Sequence, residues 1–324
     1  MDQKEQKRSH QPRVVVIGGG TGLSVMLRGL KEQPVDITAI VTVADDGGSS
    51  GRLRDELDMP PPGDIRSVIS ALANSEPVLS ELLQYRFSNG KGLAGHSLGN
   101  LILAALRDIT GDFVAGVREL SRVLAVRGTV LPASKDNVVL MAEMTDGVIV
   151  EGESKIAKYG GTIERVFLQS ADITPLPEAI EAIQSADAIV FGPGSLYTSI
   201  IPNLLVPGIV EAIRANDAVK IYICNVMTQP GETDGYSASD HVNAITKHAG
   251  GKLFEHVIVN NSEIPRHIRS LYAEKGADVV TPDIETLQKM GYHTICDDLV
   301  TFQGVLRHDA NKLSRHIYRL ARGE

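Results

Sequence analysis

Short apolar runs alternate along most of the chain with segments whose apolar residues recur at the spacing of a helix. The runs predict buried parallel strands at Val14–Ile17, Ile37–Val43, Ala188–Phe191, Val219–Asn225 and His256–Asn260. The periodic segments predict helices at Leu23–Lys31, Ile65–Ala73, Ser75–Tyr85, Ser97–Arg107, Gly111–Leu124, Pro177–Gln184, Ile209–Asn216 and Ser239–His248. This alternation indicates an α/β fold with a doubly wound, mostly parallel sheet and helices on both faces.

One region departs from the alternation. Val138–Met144, Val148–Glu151 and Arg165–Leu168 have the pattern of strands joined by polar turns. They predict a small antiparallel insertion at about residues 138–170. No linker separates it, so we expect residues 13–324 to form a single domain, preceded by a disordered polar tail, Met1–Pro12.

A glycine-rich turn follows the first predicted strand and leads directly into a predicted helix. Glycines let the backbone approach an anion, and a helix N-terminus offers unpaired N–H groups. We therefore predict an anion-binding loop made of Gly18, Gly19, Gly20, Thr21 and Gly22. The third glycine of a dinucleotide fingerprint would fall at Leu23, which weakens a nicotinamide-dependent reading with Asp45 as the ribose acid. A tight connection without a ligand is the alternative.

Carboxylates, hydroxyls and guanidinium groups crowd the loop after the second strand. Asp45 or Asp46 would accept ribose hydroxyls or hold a divalent cation through oxygen atoms. Ser49, Ser50 and Arg52 would hold phosphate oxygens, although Ser50 could instead cap a helix.

Two further helix starts follow. Asp64 is predicted to be the N-cap of the helix from Ile65, with Arg66 as a residue that could face the site. His96 begins the next helical segment, which also carries Asn100, and the helix start should keep its imidazole mostly neutral. His96 would donate to a phosphate or act as an acid or base, while an N-cap at Ser97 is the structural alternative.

Two later loops complete the predicted rim of the sheet. A second glycine loop predicts another phosphate contact and contains Gly192, Pro193, Gly194, Ser195 and Leu196. The loop after the next strand has side chains suited to a base or sugar, and we include Asn225, Met227, Thr228 and Gln229. Asp234 there is a candidate for metal binding, catalysis or helix capping.

Composition narrows the classes of function. The formal net charge is −8, and aromatic residues make up 4% of the chain, with no Trp, which argues against nucleic acid as a partner. No apolar run is long enough for membrane insertion, and no secretory leader is visible, so we expect a cytoplasmic protein. Cys224 and Cys296 stand among apolar residues and are expected to be reduced.

Taken together, the segments Gly18–Gly22, Ala44–Gly51, Gly95–Asn100, Gly192–Ser199 and Asn225–Thr233 resemble the CofD-like superfamily, and more closely its YvcK branch of gluconeogenesis factors. The resemblance spans roughly residues 13–320. It implies a Rossmann-like three-layer fold. In the CofD branch it implies Mg²⁺-dependent transfer of a phospholactyl group from a dinucleotide-type donor to a deazaflavin. In the YvcK branch it implies binding of UDP-sugars such as UDP-N-acetylglucosamine and roles in gluconeogenic growth and cell shape.

On this resemblance, Gly192, Gly194 and Ser195 would meet a diphosphate, and Asn225, Thr228 and Gln229 would lie beside the nucleoside or sugar. One departure concerns the transferase, which carries an Asn-Thr pair where this chain has Val43-Ala44. Deazaflavin transfer is therefore not expected, whereas the diphosphate site is retained.

No nucleophile elbow, Walker lysine or H-E-x-x-H pattern is present. We therefore favour a nucleotide-sugar-binding factor in peptidoglycan synthesis and gluconeogenic growth, with cell-wall or metabolic protein partners and a homo-oligomeric state. The alternative is a Mg²⁺-dependent transferase resembling the 2-phospholactate enzyme. In that case Asp45, Asp46 or Asp234 would hold the metal, and His96 would be the acid or base.

Overall fold

The computed structural model describes residues 11–74, 76–302 and 304–324. Its strands are β1 (Arg13–Gly18), β2 (Asp36–Val41), β3 (Thr129–Pro132), β4 (Leu140–Met144), β5 (Ile149–Glu151), β6 (Ile163–Leu168), β7 (Ala188–Phe191), β8 (Val219–Ile223), β9 (His256–Asn260), β10 (His293–Asp297), β11 (Val300–Phe302) and β12 (Leu306–His308).

Helices cover both faces of the main sheet. They are α1 (Gly20–Leu30), α2 (Gly48–Leu57), α3 (Gly63–Leu72), α4 (Pro77–Gln84), α5 (Leu98–Thr110), α6 (Phe113–Val123), α7 (Glu153–Tyr159), α8 (Pro177–Ser185), α9 (Ile201–Leu204), α10 (Ile209–Ala215), α11 (Ala238–Ala249), α12 (Arg266–Ala273), α13 (Ile284–Lys289) and α14 (Ala310–Ala321). A π-helical turn, Leu196–Ile200, precedes α9.

The main sheet has seven parallel strands in the order β10-β9-β8-β7-β1-β2-β3. The chain builds outward from β1 through β2 to β3, and later returns to add β7 on the other side of β1. The strand order therefore reverses between β1 and β7, which is where open α/β sheets bind ligands. This architecture confirms the predicted Rossmann-like α/β fold.

Burial on both faces explains why β1 is continuously apolar. Val15 and Ile17 join the core under one helical layer, while Val14 and Val16 join the core under the other. All four side chains are at most 2% exposed. In a strand with only one buried face, apolar and polar residues would alternate along the sequence.

The five predicted parallel strands are confirmed, although β2 and β8 end two residues before the predicted ends. The antiparallel insertion is also confirmed, in the order β5-β4-β6. The segment between β5 and β6 was predicted to be a turn, but helix α7 occupies most of it. Strands β3 and β10, the β11–β12 hairpin, and helices α2, α7, α9 and α12–α14 were not predicted.

The predicted tail falls mostly on residues 1–10, outside the described residues. Pro12 is buried, and its carbonyl accepts a hydrogen bond from the Asp36 N–H at 2.9 Å, so this residue belongs to the sheet rather than to a tail. Both cysteines are free thiols, with Cys224 buried and Cys296 half-buried.

Within the described residues, no single helix has the length and apolar character needed to cross a membrane. Leu196–Leu204 and Ile209–Ala215 meet that test only as a pair bent by 72°.

Candidate functional site

A polar cavity of about 330 Å³ opens at the carboxyl ends of β1 and β2. Its volume is within the range of small-molecule sites. Three helices begin at its wall, since α1 starts at Gly20, α2 at Gly48 and α3 at Gly63. Their free N–H groups and dipoles favour an anion at this position. Its lining comprises Gly20, Thr21, Asp45, Gly47, Gly48, Ser49, Ser50, Gly63, Asp64, Arg66, Ser67, Arg86 and Asn100.

The two predicted glycine loops lie against each other, backbone to backbone. A Cβ atom on Gly22 would stand 3.0 Å from the Pro193 carbonyl oxygen, and one on Gly194 would stand 3.0 Å from the Gly19 carbonyl oxygen. Asn225 supports the second loop, because its Nδ2 donates to the Gly194 carbonyl at 2.9 Å. Chain segments far apart in sequence thus form one continuous wall of main chain.

Ser195 and Leu196 stand where the second loop passes into the π-helical turn. The Ser195 carbonyl accepts hydrogen bonds from Ser199 N and Ile200 N, and Leu196 is fully buried. The Ser195 side chain is only half-buried and makes no capping bond to the turn. Its hydroxyl is therefore available beside the glycine loops.

Ser49 links the α2 start to the α5 start. Its hydroxyl lies 3.1 Å from His96 Nδ1 and accepts from Ser97 N at 3.3 Å and from Asn100 Nδ2 at 3.2 Å. Asn100 is 1% exposed, and its Oδ1 has no hydrogen-bond partner among the described residues. A buried amide oxygen at the wall of a polar cavity is suited to accept a hydrogen bond from a ligand or a water molecule.

His96 is buried behind Ser49 rather than exposed in the cavity. Burial lowers the pKa of its imidazole, and the nearby Arg52 guanidinium lowers it further. The sequence predicted a neutral ring because of a helix start, and burial is the larger cause here. A neutral His96 is suited to positioning Ser49 by a hydrogen bond.

The adjacent aspartates of the second loop point to different places. The Asp45 side chain lines the cavity and accepts from the Gly47 N–H at 2.8 Å. The Asp46 side chain turns to the insertion, where it accepts from the Ser154 N–H at 2.7 Å in the first turn of α7. Asp234 likewise has a local partner, the Gly231 N–H at 2.7 Å. Of the three predicted metal candidates, only Asp45 lines the cavity.

Three arginines surround the cavity in different roles. Arg52 donates to the Ala94 carbonyl at 2.9 Å, and Arg86 donates to the Gly95 carbonyl, so both hold the loop that leads to His96. Arg66 lines the cavity, and its buried Nε has no hydrogen-bond partner among the described residues. Arg66 and Arg86 supply positive charge at the cavity wall.

The interpretation of Asp64 as an N-cap was wrong. Pro62 is the N-cap of α3, and Asp64 is the second residue of that helix. Its carboxyl accepts from the Gly20 backbone N–H, so it closes the first glycine loop. Burial, together with the neighbouring Asp45, raises the pKa of Asp64 to about 7. The tight Pro-rich turn starts the helix earlier than predicted, so the carboxyl lies two residues beyond the N-cap.

The residues predicted to meet a base or sugar lie in a loop held by its own contacts. Thr228 pairs with Asp278, accepting the Asp278 N–H at its hydroxyl at 2.8 Å, while Met227 forms a bridge with Val279. Gln229 donates to the carboxylate of Glu232, which also accepts from the Thr198 hydroxyl at 3.2 Å. The 330 Å³ cavity is not lined by Met227, Thr228 or Gln229.

Sequence reasoning missed two carboxyl groups. Burial raises the pKa of Glu153 to about 9, with Asp45, Asp64 and Glu232 adding to the effect, and Glu153 Oε2 has no partner among the described residues. Burial also raises the pKa of Glu232 to about 7. Glu153 follows an antiparallel strand, so the rule that sites follow parallel strands could not identify it.

The described part of the chain contains no group of three His, Cys, Asp or Glu side chains placed to hold a metal ion. Asp45 and Asp64 are the carboxylates that line the cavity. This donor set is compatible with a Mg²⁺ ion only if phosphate oxygens of a ligand supply further ligands, which is a common mode of Mg²⁺ binding.

Known proteins resemble this chain over most of its length. Residues 14–300 match the family described as 2-phospho-L-lactate transferase CofD. The chain is 59% identical over 305 residues to a gluconeogenesis factor of Halalkalibacterium halodurans, covering 94% of this chain and 95% of that protein. It is 57% identical over 305 residues to the gluconeogenesis factor of Bacillus subtilis, covering 94% and 96%.

Two crystal structures of a protein from Bacillus halodurans have the same fold. Each superposes with a TM-score of 0.93 at 58% identity and covers 95% of this chain and 99% of the other. The family match, the identities above 50% and the shared fold agree with one another. This chain therefore belongs to the CofD family, in its YvcK branch of gluconeogenesis factors.

Proposed function

We propose that this chain binds a nucleotide sugar, UDP-linked as in UDP-N-acetylglucosamine, at the carboxyl edge of β1, β2 and β7. Through this ligand it would act in gluconeogenic growth, cell shape and peptidoglycan synthesis. The observation that carries the proposal is the wall formed by the two glycine loops, joined to three helix starts. Such a wall offers N–H donors to two neighbouring phosphates.

The names of the relatives support the biological part of the proposal, since proteins 59% and 57% identical to this chain are called gluconeogenesis factors. The site supports binding more than turnover. His96 is engaged with Ser49, and Asp46 and Asp234 have structural partners.

The proposal predicts that UDP-sugars stabilise the protein. A thermal-shift series would compare UDP-N-acetylglucosamine, UDP-glucose, UMP, NAD and ATP, each with and without Mg²⁺. A ligand at a hundred times its dissociation constant should add about 2.7 kcal/mol to the free energy of unfolding. Absence of any shift with UDP-sugars at millimolar concentration would contradict the proposal, and a shift confined to NAD would favour the nicotinamide reading.

The position of the diphosphate is tested by Ser195→Arg. We expect this variant to lose nucleotide binding, because the long side chain would fill the space beside the glycine loops, while its melting temperature stays close to that of the wild type. Ser185→Arg is the matched control, since Ser185 is exposed at the other end of β7. Equal affinity in both variants would show that the diphosphate lies elsewhere.

A second candidate is Mg²⁺-dependent transfer at a nucleotide diphosphate. The observation that favours it is that Asp45 and the half-buried Asp64 line the same cavity as Arg66. Bound Mg²⁺ would neutralise phosphate oxygens, while Arg66 and the helix starts orient them and Asp64 holds or releases a proton near neutral pH. Incubation with Mg²⁺ and candidate donors, followed by mass spectrometry, should then reveal product, whereas intact donor would oppose this reading.

A further inference from the structure

A second concave region lies at the amino ends of the parallel strands, whereas the candidate site lies at their carboxyl ends. His256 is the first residue of β9 and His293 the first of β10, so both stand at the amino ends of the strands. The last turns of α14 close the region from the side. The cavity has a volume of about 500 Å³ and is lined by His256, His293, Ile295, His316, Arg319, Leu320 and Glu324.

The polar part of this cavity is rich in nitrogen donors. The rings of His256 and His293 have centroids 5.3 Å apart and planes inclined by 31°. His316 Nε2 lies 2.8 Å from the Asp297 carboxylate, which fixes the orientation of its ring. Arg319 is exposed, and its guanidinium forms no ion pair within the described ranges of the chain. Imidazole and guanidinium groups without an equal number of carboxylates favour an anionic ligand.

Two of the acidic groups near the cavity already have ion-pair partners. Glu324 pairs with Arg322 at 3.2 Å, and Asp297 pairs with His316. Glu255 precedes His256 in the chain and acts on its imidazole. In the described residues, no three His, Cys, Asp or Glu side chains are placed to hold a metal, which argues against a metal site here.

We propose that this cavity is a second binding site, which takes the phosphate group of a small phosphorylated molecule between Arg319 and the three imidazoles. Ile295 and Leu320 supply an apolar floor for the body of such a ligand. The site is separate from the nucleotide site and lies across the full height of the sheet from it.

Binding should strengthen as the pH falls. Burial lowers the pKa of His256, and the neighbouring His293 lowers it further, while Glu255 opposes both effects. A dianion placed beside the rings would favour their protonated forms. Protonation of His256 adds positive charge to the cavity that Arg319 lines.

The experiment is a titration followed by NMR of the imidazole Cε1–H groups in the full chain. Sulfate keeps its double charge between pH 6.2 and 8.0, so any pH dependence belongs to the protein. We expect saturable shifts of His256, His293 and His316, with affinity about tenfold weaker at pH 8.0. Inorganic phosphate and phenyl phosphate, compared at pH 7.0, distinguish free phosphate from a phosphate ester, and the apolar floor should favour the ester several-fold.

Arg319→Gln should weaken sulfate binding by about tenfold or more, the usual effect of losing a charge-assisted hydrogen bond. Arg315→Gln is the matched control, because Arg315 is an exposed arginine one helical turn away and outside the cavity. Equal affinity in the two variants would overturn the proposal. Absence of saturation at about 50 mM sulfate would also overturn the proposal, because a specific anion site should have a dissociation constant below that concentration. Shifts confined to His96 of the candidate site would overturn it as well.

Discussion

At the scale of single residues, the candidate site brings together carboxyl groups whose ionisation is opposed by burial. Asp64 and Glu232 have pKa values of about 7, and Glu153 has one of about 9. At neutral pH, Glu153 is therefore largely protonated and can donate a hydrogen bond, which an ionised carboxylate cannot do. These groups can contact phosphate or hydroxyl oxygens without the full repulsion expected from so many acids.

Glu153→Gln tests this protonation state. The folded protein holds the Glu153 proton more tightly than the unfolded chain, so stability present at low pH is lost as the pH rises towards about 9. The variant should lose that dependence. As the pH rises, its unfolding free energy should fall less steeply than that of the wild type, by up to about 1.4 kcal/mol per pH unit. Urea unfolding at pH 5.5, 7.0 and 8.5 measures this slope.

The control for that experiment is Glu151→Gln, which changes an exposed carboxylate two residues earlier. Its slope should match that of the wild type. If Glu153→Gln also keeps the wild-type slope, then Glu153 is ionised in the folded protein and the protonated interpretation fails.

Particular residues show what the sequence could and could not reveal about the site. The two glycine loops could be located from the sequence, because glycines next to strand ends allow the close main-chain approach that the structure shows. Asp64 was misplaced by two helical positions, since the Pro-rich turn gives no local signal of where α3 begins. Glu153 was missed because its contribution depends on how the insertion packs on the sheet, which is a long-range contact.

At the scale of elements, Asp46 links the loop after β2 to the insertion. Its carboxylate accepts from Ser154 N in the first turn of α7, and a Cβ on Gly152 would collide with the same carboxylate. The loop and the insertion are therefore fixed to each other at close range. This contact also holds Glu153, the first residue of α7, against the site.

Asp46→Ala should destabilise the protein by about 0.5–2 kcal/mol, the usual effect of removing a side chain that accepts from a helix N-terminus. Asp46→Asn keeps an oxygen acceptor and should lose much less. Chemical denaturation of the two variants and the wild type measures the difference. Equal losses in both variants would indicate that the charge, rather than the hydrogen bond, is the stabilising feature.

Gly29 permits α1 to pack closely on α14. A Cβ atom at this position would stand 2.6 Å from the Ala310 carbonyl carbon, so Gly29→Ala should cost about 1–3 kcal/mol through overpacking despite the better helix propensity of alanine. Thermal unfolding compared with Arg28→Ala, an exposed neighbour on the same helix, checks this expectation. A variant at least as stable as the wild type would show that α14 can move away freely.

Element prediction depended on the chemistry of each segment. Strands β1, β7 and β9 are apolar on both faces and were readily predicted. Strand β10 has the sequence His-Thr-Ile-Cys-Asp, and β3 ends in Pro132, so neither has the pattern of a buried strand. Both are at the edges of the sheet, where one side needs no hydrogen-bonded neighbour and the sequence is less constrained.

At the scale of the whole molecule, the alternation of strands and helices predicted the doubly wound fold, but not the order of the strands. That order is set by which strand surfaces pack together, a property that no single segment records. It matters because β1 and β7 are neighbours although residues 19–187 separate them. The candidate site is built on that pairing.

The central position of β1 and β7 predicts a gradient of local stability across the sheet. Their amides should be among the slowest to exchange with deuterium, because opening them requires disruption of neighbours on both sides. The amides of β10 should exchange faster, since this strand pairs on one side only. Exchange followed by mass spectrometry tests the ranking, and equal protection of β10 and β1 would contradict it.

The pairing of β1 with β7 also has a consequence during synthesis on the ribosome. The first glycine loop emerges early, whereas the second belongs to a strand that begins at Ala188. At about 5–20 residues per second, the nascent chain must wait on the order of ten seconds or more before both loops are available. The proposed site can therefore form only after β7 has been made, and a message cut short before β7 would yield chains with the first loop alone.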